Sequence, residues 1–224
     1  VMSFAPIGVF CLIGKFVIAD GLDIFQDVLA YVVLLISLLI FHALFTYSIF
    51  LKFIGGLSPI TFFRKIKNVA LFAFSTSSSA ATIPVTLKTV NQDLGVNQNV
   101  ASFVVPVGAT INMDGTAIMQ GLATVFIAQM SGIDLTLFQY GQVVLLAVAT
   151  SIGTAAVPSA GTITLIIILQ QFNLPLEAIG IILAVDRVLD MIRTSVNVTG
   201  DAAIACIVAK SENQLDESIF NAHK

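Results

Sequence analysis

The feature that most constrains this chain is an apolar stretch, residues 135–176, that contains no Asp, Glu, Lys or Arg over 42 residues. A helix needs about 20 apolar residues to cross the hydrocarbon core of a bilayer, so this stretch is too long for one span. Its middle, residues 150–162, reads TSIGTAAVPSAGT. Because Gly, Ser and Thr weaken a helix and Pro removes a backbone donor, we expect the helix to break there and the chain to turn back.

A second apolar stretch, residues 68–87, has the same design, with STSSSAATIP in its middle. Unwound backbone at membrane depth survives only inside protein or beside a water-filled cavity, so we interpret both stretches as re-entrant hairpins. Asp134 and Glu177 flank the later hairpin, whereas basic residues flank the earlier one. Under the positive-inside rule, the two hairpins therefore enter the membrane from opposite faces. The basic residues are Lys52, Arg64, Lys65, Lys67 and Lys88.

Composition excludes several classes of protein. The chain is 57% hydrophobic and 10% charged, whereas soluble domains carry about 25% charged residues. This low charge excludes a soluble enzyme and a disordered tail, and the net charge of -3 also argues against a nucleic-acid partner. Cys11 and Cys206 are too few for a disulfide framework and are interpreted as packing residues. Because residue 1 is Val, we expect that the beginning of a longer chain is missing.

The remaining apolar segments predict ordinary spans, and one of them, Val28–Leu51, has His42 as its only side chain that titrates near neutral pH. We interpret His42 as a side chain that faces lipid or the core. The predicted organisation is a span and outer loop (1–27), a span and cytoplasmic loop (28–67), hairpin one (68–99), a broken span (100–134), hairpin two (135–177), a polar-faced last span (178–210) and a cytoplasmic tail (211–224).

This organisation predicts an all-α integral membrane protein, a multi-span helical transporter in which two oppositely oriented hairpins form an inverted repeat. Paired interrupted segments in two halves of a sequence indicate the midplane site of a secondary transporter. The lipid bilayer is therefore one expected partner. We expect a multi-pass protein of the cell (plasma or inner) membrane with a cytoplasmic C-terminus.

Polar side chains of the last span share one side of the predicted helix. At 100° per residue they occupy an arc of about 100°. An arc that holds one guanidinium among carboxylates suits a zwitterion with an additional acid. Arg193 could grip a side-chain carboxylate while Asp190 accepts from an ammonium. The alternative is a polar seam that holds helices together. The six residues are Asp186, Asp190, Arg193, Thr194, Asn197 and Asp201.

Two other polar clusters carry chemistry. Asn112 and Asp114 offer oxygen ligands for a hard cation, and Gly115 weakens the helix beside them. The alternative there is a glycine kink with a locally satisfied Asp. The serine run at 77–79 offers hydroxyls and free amides that fit a carboxylate, whereas in a soluble protein it would be a linker.

Four segments carry a specific resemblance: TSSSAATIP, GATINMDGT, SIGTAAVPSAG and DRVLDMIRTSVNVTGD. They resemble the signature segments of the dicarboxylate/amino acid:cation symporter family, which includes archaeal aspartate transporters and mammalian excitatory amino acid transporters. The similarity runs from about Ala5 to Glu212. It implies a sodium-coupled symporter of aspartate or glutamate that works by alternating access in a homotrimer. It implies no enzyme activity and no cofactor other than sodium as coupling ion.

The resemblance also implies site residues. The serines would hold the substrate α-carboxylate, Val157 to Gly161 would close over it as the outer gate, Asp190 would bind the amino group and Arg193 the side-chain carboxylate. The implied substrate-binding residues are Ser77, Ser78, Ser79, Thr116, Val157, Pro158, Ser159, Ala160, Gly161, Asp190, Arg193, Thr194 and Asn197.

Three sodium sites are implied in the same way. One would use Gly108, Asn112, Asn197 and Asp201. Another would use Thr110, Met113 and the carbonyls of Ser151, Ile152 and Thr154. The last would use Asn112 and Asp114 with ligands from a span that this chain lacks.

Other functions stay open at this point. A proton-coupled symporter of dicarboxylates or glutamate is the main alternative, because the sequence leaves both protons and sodium open as coupling ions. The family's additional arginine is replaced here by Ser77 and Met191, with Arg187 after the first aspartate instead, which leaves the preference among aspartate, glutamate and plain dicarboxylates open. An ion channel is a second alternative. An intramembrane aspartyl protease would pair Asp114 with Asp201, but such a dyad shares one proton, and Arg193 on the same side would keep its neighbours ionised.

Overall fold

The computed structural model describes residues 24–222 together with Phe10, Cys11, Gly14 and Ile18. Within this part the secondary structure is helical, and the only β contact is an isolated antiparallel bridge between Val96 and Leu215. The predicted all-α class is therefore confirmed. The expected span in residues 1–27 lies almost wholly outside the described residues.

The helices follow one another along the described part with short connections. In chain order they are α1 (Ile24–Phe41), α2 (Tyr47–Ile49), α3 (Pro59–Thr76), α4 (Ser79–Gln92), α5 (Gln98–Ile111), α6 (Asp114–Met130), α7 (Leu137–Ile152), α8 (Ala160–Gln171), α9 (Ile179–Ser211) and α10 (Glu217–Asn221). Two π-helical turns, His42–Thr46 and Phe50–Ile54, flank α2, and a 3-10 turn, Leu176–Ala178, precedes α9.

The first helical rod, Phe25–Ile54, joins α1, α2 and both π turns into 30 residues, and its most apolar 18-residue window has a mean hydropathy of 2.7. It is the one helix of the described part that is both long and apolar enough to cross a membrane. Many of its apolar side chains are exposed, including Leu29, Val33 and Phe41. Such a surface suits contact with lipid rather than water.

The first helical pair consists of α3 and α4, which pack against each other across a break of two residues. The first arm begins at Pro59, nine residues before the predicted hairpin boundary at 68, within the stretch that the sequence assigned to a loop. Ser58 accepts a hydrogen bond from Thr61 N as the N-cap. Proline at the first helical position has no N–H to leave unsatisfied, and these two signals together start the helix early.

The second helical pair consists of α7 and α8, with residues 153–159 between them outside any helix. Thr136 and Gln139 form a capping box that starts α7. The break falls on the Gly-Thr-Ala-Ala-Val-Pro-Ser segment, where helix-weakening residues and a proline coincide.

The last long helix, α9, organises the molecule. It has 33 residues and packs against α1, α3, α4, α5, α6 and α8. Because neighbours surround it, its polar arc is enclosed by protein instead of facing lipid. The polar residues of the predicted last span therefore lie at the centre of the described fold.

The tail after α9 folds back onto the first helical pair. Asn97 N donates to Gln214 O and Asp216 N donates to Gly95 O, at 2.9 and 2.8 Å. The short helix α10 buries Phe220, which is 1% exposed. This segment was expected only as a polar tail, and its packing was not predicted from the sequence.

Candidate functional site

The tip of the first helical pair is a serine turn. Ser77 ends α3 in a left-handed conformation with φ of 51°, and Ser78 begins α4 as its N-cap. The Ser78 hydroxyl accepts from Ala81 N and donates to Ala156 O across the site, at 3.2 and 2.9 Å. The Ser77 hydroxyl is buried and has no hydrogen-bond partner in the described part of the chain.

The tip of the second helical pair closes against the first. Ala80 N donates to Ala156 O at 3.2 Å, so the two tips share backbone contact. Ser159, which has a positive φ of 59°, directs its backbone N–H at Asp190 Oδ2 at 2.9 Å. The irregular segment thus places a free backbone donor on a carboxylate of α9.

Arg193 is the charged centre of the site and is 2% exposed. Its Nη2 donates to Asp190 Oδ1 at 2.5 Å, and its Nη1 lies 3.4 Å from Asp186 Oδ1. The Thr162 hydroxyl also donates to Asp186 Oδ1, at 2.7 Å. A buried guanidinium requires such partners because desolvation of an unpaired charge is costly. Asp186 was part of the predicted polar arc, but the sequence assigned it no role.

The cavity between the two tips is small, about 20 Å³, which is roughly the room for one water molecule. A Cβ added at Gly161 would lie 2.7 Å from Thr116 Cγ2, so the second tip approaches α6 as closely as a glycine allows. The cavity is lined by Ser77, Ser79, Met113, Thr116, Thr154, Ala155, Ala156, Val157, Gly161, Asp190, Arg193, Thr194 and Asn197. Among the substrate-binding residues expected from the sequence, Ser78, Pro158, Ser159 and Ala160 lie outside this lining.

A second polar cluster surrounds the break between α5 and α6. Asn112 ends α5, and its Nδ2 donates to Asp201 Oδ1 at 3.0 Å. A Cβ at Gly108 would lie 2.6 Å from that same oxygen, so only glycine permits the approach of α5 to α9. Asn197 Oδ1 accepts from Gly115 N at 2.8 Å. The structure therefore brings together the four residues expected at one cation site, Gly108, Asn112, Asn197 and Asp201.

The residues expected at the other cation sites are less concentrated. Met113 and Thr154 line the same small cavity. Thr110 and Ile152 are exposed and lie outside that lining, and the Ser151 hydroxyl donates to Val148 O in its own helix.

Asp114 has two partners that the sequence analysis missed. His42 Nε2 and the Tyr47 hydroxyl each lie 3.0 Å from Asp114 Oδ2. His42 therefore faces the protein, and only the interpretation that it lies alone is wrong. A signal was present in the sequence, because a lone ionisable group in an apolar span is usually paired with another.

Gln120 is a further residue that the sequence did not single out. It is fully buried on α6 and bonds both arms of the second helical pair. Its amide nitrogen donates to Gly161 O and Thr164 Oγ1, at 3.0 and 2.7 Å, and the Thr150 hydroxyl donates to its oxygen at 2.8 Å.

Comparison with known proteins identifies the family to which this arrangement belongs. The model of the sodium:dicarboxylate symporter family matches residues 1–211. The chain belongs to this family. The resemblance stated from its four segments is thus confirmed.

Named relatives agree with this assignment. The chain is 43% identical over 93% of its length to an excitatory amino acid transporter of Caenorhabditis elegans, and 41% identical over 100% to the human excitatory amino acid transporter 2. It is 40% identical over 97% of its length to the mouse excitatory amino acid transporter 3. The chain spans about two fifths of the length of these relatives, 42%, 40% and 42% respectively. The family and these relatives are transporters and not enzymes, which agrees with the expectation.

Proposed function

We propose that this chain forms the substrate- and cation-binding part of a sodium-coupled symporter that carries acidic amino acids across the cell membrane by alternating access. The observation that carries the proposal is Arg193, a buried guanidinium held by two carboxylates between the tips of two helical pairs. A neutral amino acid has no group that needs such a cation. Aspartate and glutamate each bring a second carboxylate that a guanidinium binds bidentately.

Substrate would enter by replacing contacts that the site makes with itself. Asp190 Oδ1 accepts from Arg193, and its Oδ2 accepts from Ser159 N. An incoming side-chain carboxylate would replace Asp190 as the partner of Arg193, while the substrate ammonium would become the new partner of Asp190. The buried Ser77 hydroxyl and the tip amides would then receive the α-carboxylate. The second tip must withdraw to admit these groups, because the present cavity holds about 20 Å³.

Sodium coupling would arise at the break between α5 and α6. Asp201, Asn112 and Asn197 supply oxygen atoms of the kind that hard cations prefer, and carbonyls at the break are not all used by helical bonds. Asp114 and the residues near Met113 and Thr154 would contribute further cation contacts. A cation that draws these elements together stabilises the closed arrangement in which the second tip covers the substrate.

The two helical pairs would be re-entrant and would enter from opposite faces of the membrane, with the C-terminal tail cytoplasmic. The basic residues near the open end of the first pair and the acidic residues Asp134 and Glu177 near that of the second support this orientation. The assembly would be a homotrimer, as the sequence resemblance implies.

Uptake into proteoliposomes tests the proposal. The full-length protein, with any segments that precede residue 1, should accumulate radiolabelled aspartate when an inward sodium gradient is imposed, and should not do so when choline replaces sodium. Accumulation driven by a proton gradient alone would overturn the sodium sites and favour the proton-coupled alternative. Absence of uptake under either gradient would contradict an acidic amino acid as substrate.

The cation site has its own test. Asp201→Asn removes a carboxylate charge but keeps the size of the side chain, so we expect a weaker response of uptake to sodium. Asp134→Asn, at the exposed open end of the second pair, is the matched control. An unaltered sodium titration in Asp201→Asn would remove Asp201 from the cation site.

A further inference from the structure

One oxygen of the Asp114 carboxylate is held by two side chains of the first helical rod. His42 Nε2 and the Tyr47 hydroxyl both lie 3.0 Å from Oδ2. The Tyr47 hydroxyl donates to this oxygen, and the imidazole donates to it in the tautomer that carries the proton on Nε2. No hydrogen bond from the described residues reaches Asp114 Oδ1. The carboxylate is therefore fixed in rotation through one oxygen while the other oxygen is left for a different partner.

The two donors reach the same oxygen because the rod makes a π-helical turn at His42–Thr46. Residues five apart in an α-helix differ by roughly 140° around the axis, which would place His42 and Tyr47 on different sides. A turn with bonds from i to i+5 brings them to the same side. Such π turns cost regular hydrogen bonding and occur often at functional sites.

Tyr47 also ties the rod to the last long helix. Its side chain is 3% exposed, and its hydroxyl lies 3.2 Å from Val196 O in α9. Asn197 and Asp201, both expected cation ligands, follow on the same helix. Tyr31, elsewhere on the rod, is also 3% exposed, but its hydroxyl has no hydrogen-bond partner among the described residues. The two tyrosines are equally buried, but of the two hydroxyls only that of Tyr47 is hydrogen-bonded within the described residues. We infer that the hydroxyl of Tyr47, unlike that of Tyr31, has a role at the site.

We propose that His42 and Tyr47 are positioning residues for a sodium site at Asp114. They hold Oδ2 so that Oδ1 faces the ion, and they do not touch the ion themselves. The inference rests on the proposed function, because it assumes that Asp114 binds the coupling cation. Partners that orient a metal-binding carboxylate commonly change the affinity for the ion by about 10- to 100-fold when removed.

Sodium-dependent thermal stability tests this role without relying on transport. An ion that binds only the folded state raises the melting temperature with its concentration, so the half-saturating concentration can be read from a titration. The full chain is purified in detergent and titrated with sodium chloride, with choline chloride holding ionic strength constant. Tyr47→Phe should raise the half-saturating sodium concentration about tenfold. Tyr31→Phe, the matched control, should leave it unchanged.

His42 supplies an independent pair of variants if Tyr47→Phe does not fold. His42→Leu removes the donor and should raise the half-saturating concentration about tenfold. His42→Gln retains an N–H donor and should restore most of the affinity. A purely structural role would lower the melting temperature equally at every sodium concentration and leave the half-saturating value unchanged, which would overturn the inference.

The wild-type titration distinguishes a failure of the positioning role from a failure of the proposed function. A wild-type chain that responds to sodium, with variants that respond identically, would overturn the positioning role and leave the proposed function intact. A wild-type chain whose melting temperature is insensitive to sodium would contradict the proposed function and this inference with it.

Discussion

The two helical pairs are alike in design but are fastened at different points. The first pair is tied at its open end by Lys65 on α3. Its ammonium donates to Asp93 O at the end of α4 at 2.8 Å, and to Ile219 O and Phe220 O at the end of α10 at 2.6 and 2.8 Å. One side chain therefore joins both arms of the pair and the tail.

The second pair is held next to its tip by Gln120, since its partners lie close to the ends of both arms at the break. Thr150 on one arm, and Gly161 and Thr164 on the other, all bond this one amide. Within residues 24–222, no hydrogen bond from the tail reaches α7 or α8. We call the Lys65 contacts described above the clasp of the first pair. Among the described residues, the open end of the second pair has no comparable contact from the tail.

The tips of the two pairs also differ in the number of residues that lie outside any helix. The first tip is two residues long, and Ser78 caps the helix that follows it. The second tip has seven residues outside any helix, 153–159. Segments with few helical bonds and few buried contacts open at low free energy. We therefore expect the second pair to open more easily than the first, in line with the proposed role of the second tip as a gate.

The largest expected effect comes from joining the tips covalently. Ala80→Cys with Ala156→Cys places two thiols where the tips share backbone contact, in a chain whose native cysteines are replaced. Because the second tip must withdraw to admit substrate, oxidation should abolish aspartate uptake, and a reductant should restore it. Uptake is measured in proteoliposomes, and mass spectrometry verifies the bond.

The control for that experiment is a bond at the clasped end. Val96 and Leu215 form an antiparallel bridge flanked by hydrogen bonds on either side, a pairing in which side chains lie close together. Val96→Cys with Leu215→Cys should leave uptake intact after oxidation. Equal loss of uptake from both bonds would contradict the difference in mobility between the two pairs.

A smaller effect is expected when the Gln120 hydrogen bonds that hold the second pair are removed. Gln120→Leu keeps the approximate size but removes the hydrogen bonds to Gly161 O and Thr164 Oγ1, each of which contributes about 0.5–1.5 kcal/mol. Amide hydrogen exchange should accelerate in α7 and α8 and stay unchanged in α3 and α4. Gln129→Leu, an exposed position on the same helix, is the control. Faster exchange spread evenly over both pairs would argue against a local tie.

Removing the Lys65 contacts of the first pair should change stability and amide hydrogen exchange by a comparable or smaller amount. Lys65→Met keeps the length of the side chain but removes the ammonium, and we expect a loss of about 2 kcal/mol in stability, since three charge-assisted bonds are removed from a partly exposed site. Exchange should accelerate in α10 and at the ends of α3 and α4. Lys67→Met, also on α3 but exposed, should leave exchange as it is.

The smallest expected effect is the loss of protection of α10 at acidic pH. The hydroxyl of Ser218 and the amide of Ile219 donate to Asp216 at the start of α10 and hold the pKa of this carboxyl below its ordinary value. A lowered pKa in the folded state means that the contribution to stability is present at neutral pH and is lost as the pH falls through that pKa. Protection of α10 should be constant from pH 7 to 5 and should decline below about pH 4. A decline already between pH 7 and 5 would point to another group.

The sequence predicted those parts of the molecule that depend on local chemistry. The breaks at the serine run and at the VPSAG segment follow from residues that weaken helices. The polar arc of the last span follows from helical periodicity, and the structure places Asp190, Arg193 and Asn197 of that arc on the same cavity.

The remaining features depend on contacts that local chemistry does not encode. His42 and Tyr47 meet only because a π turn shifts the helical phase, and a regular periodicity separates them. The clasp joins Lys65 to Phe220 across 155 residues, and neither side chain stands out in its own segment. Asp186 and Arg193 share the predicted arc, but whether their side chains meet across seven residues depends on rotamers, which periodicity does not give.

The most direct test of the proposed function is the substrate affinity of Arg193→Cys, with Arg187→Cys as control on an exposed position of the same helix. Competition by aspartate and by serine is measured in proteoliposomes. We expect Arg193→Cys to lose aspartate and to admit the neutral amino acid, because the pocket loses its cation for the second carboxylate, while Arg187→Cys stays like the wild type. Unchanged aspartate affinity in Arg193→Cys would contradict the role of Arg193 in reading an acidic substrate.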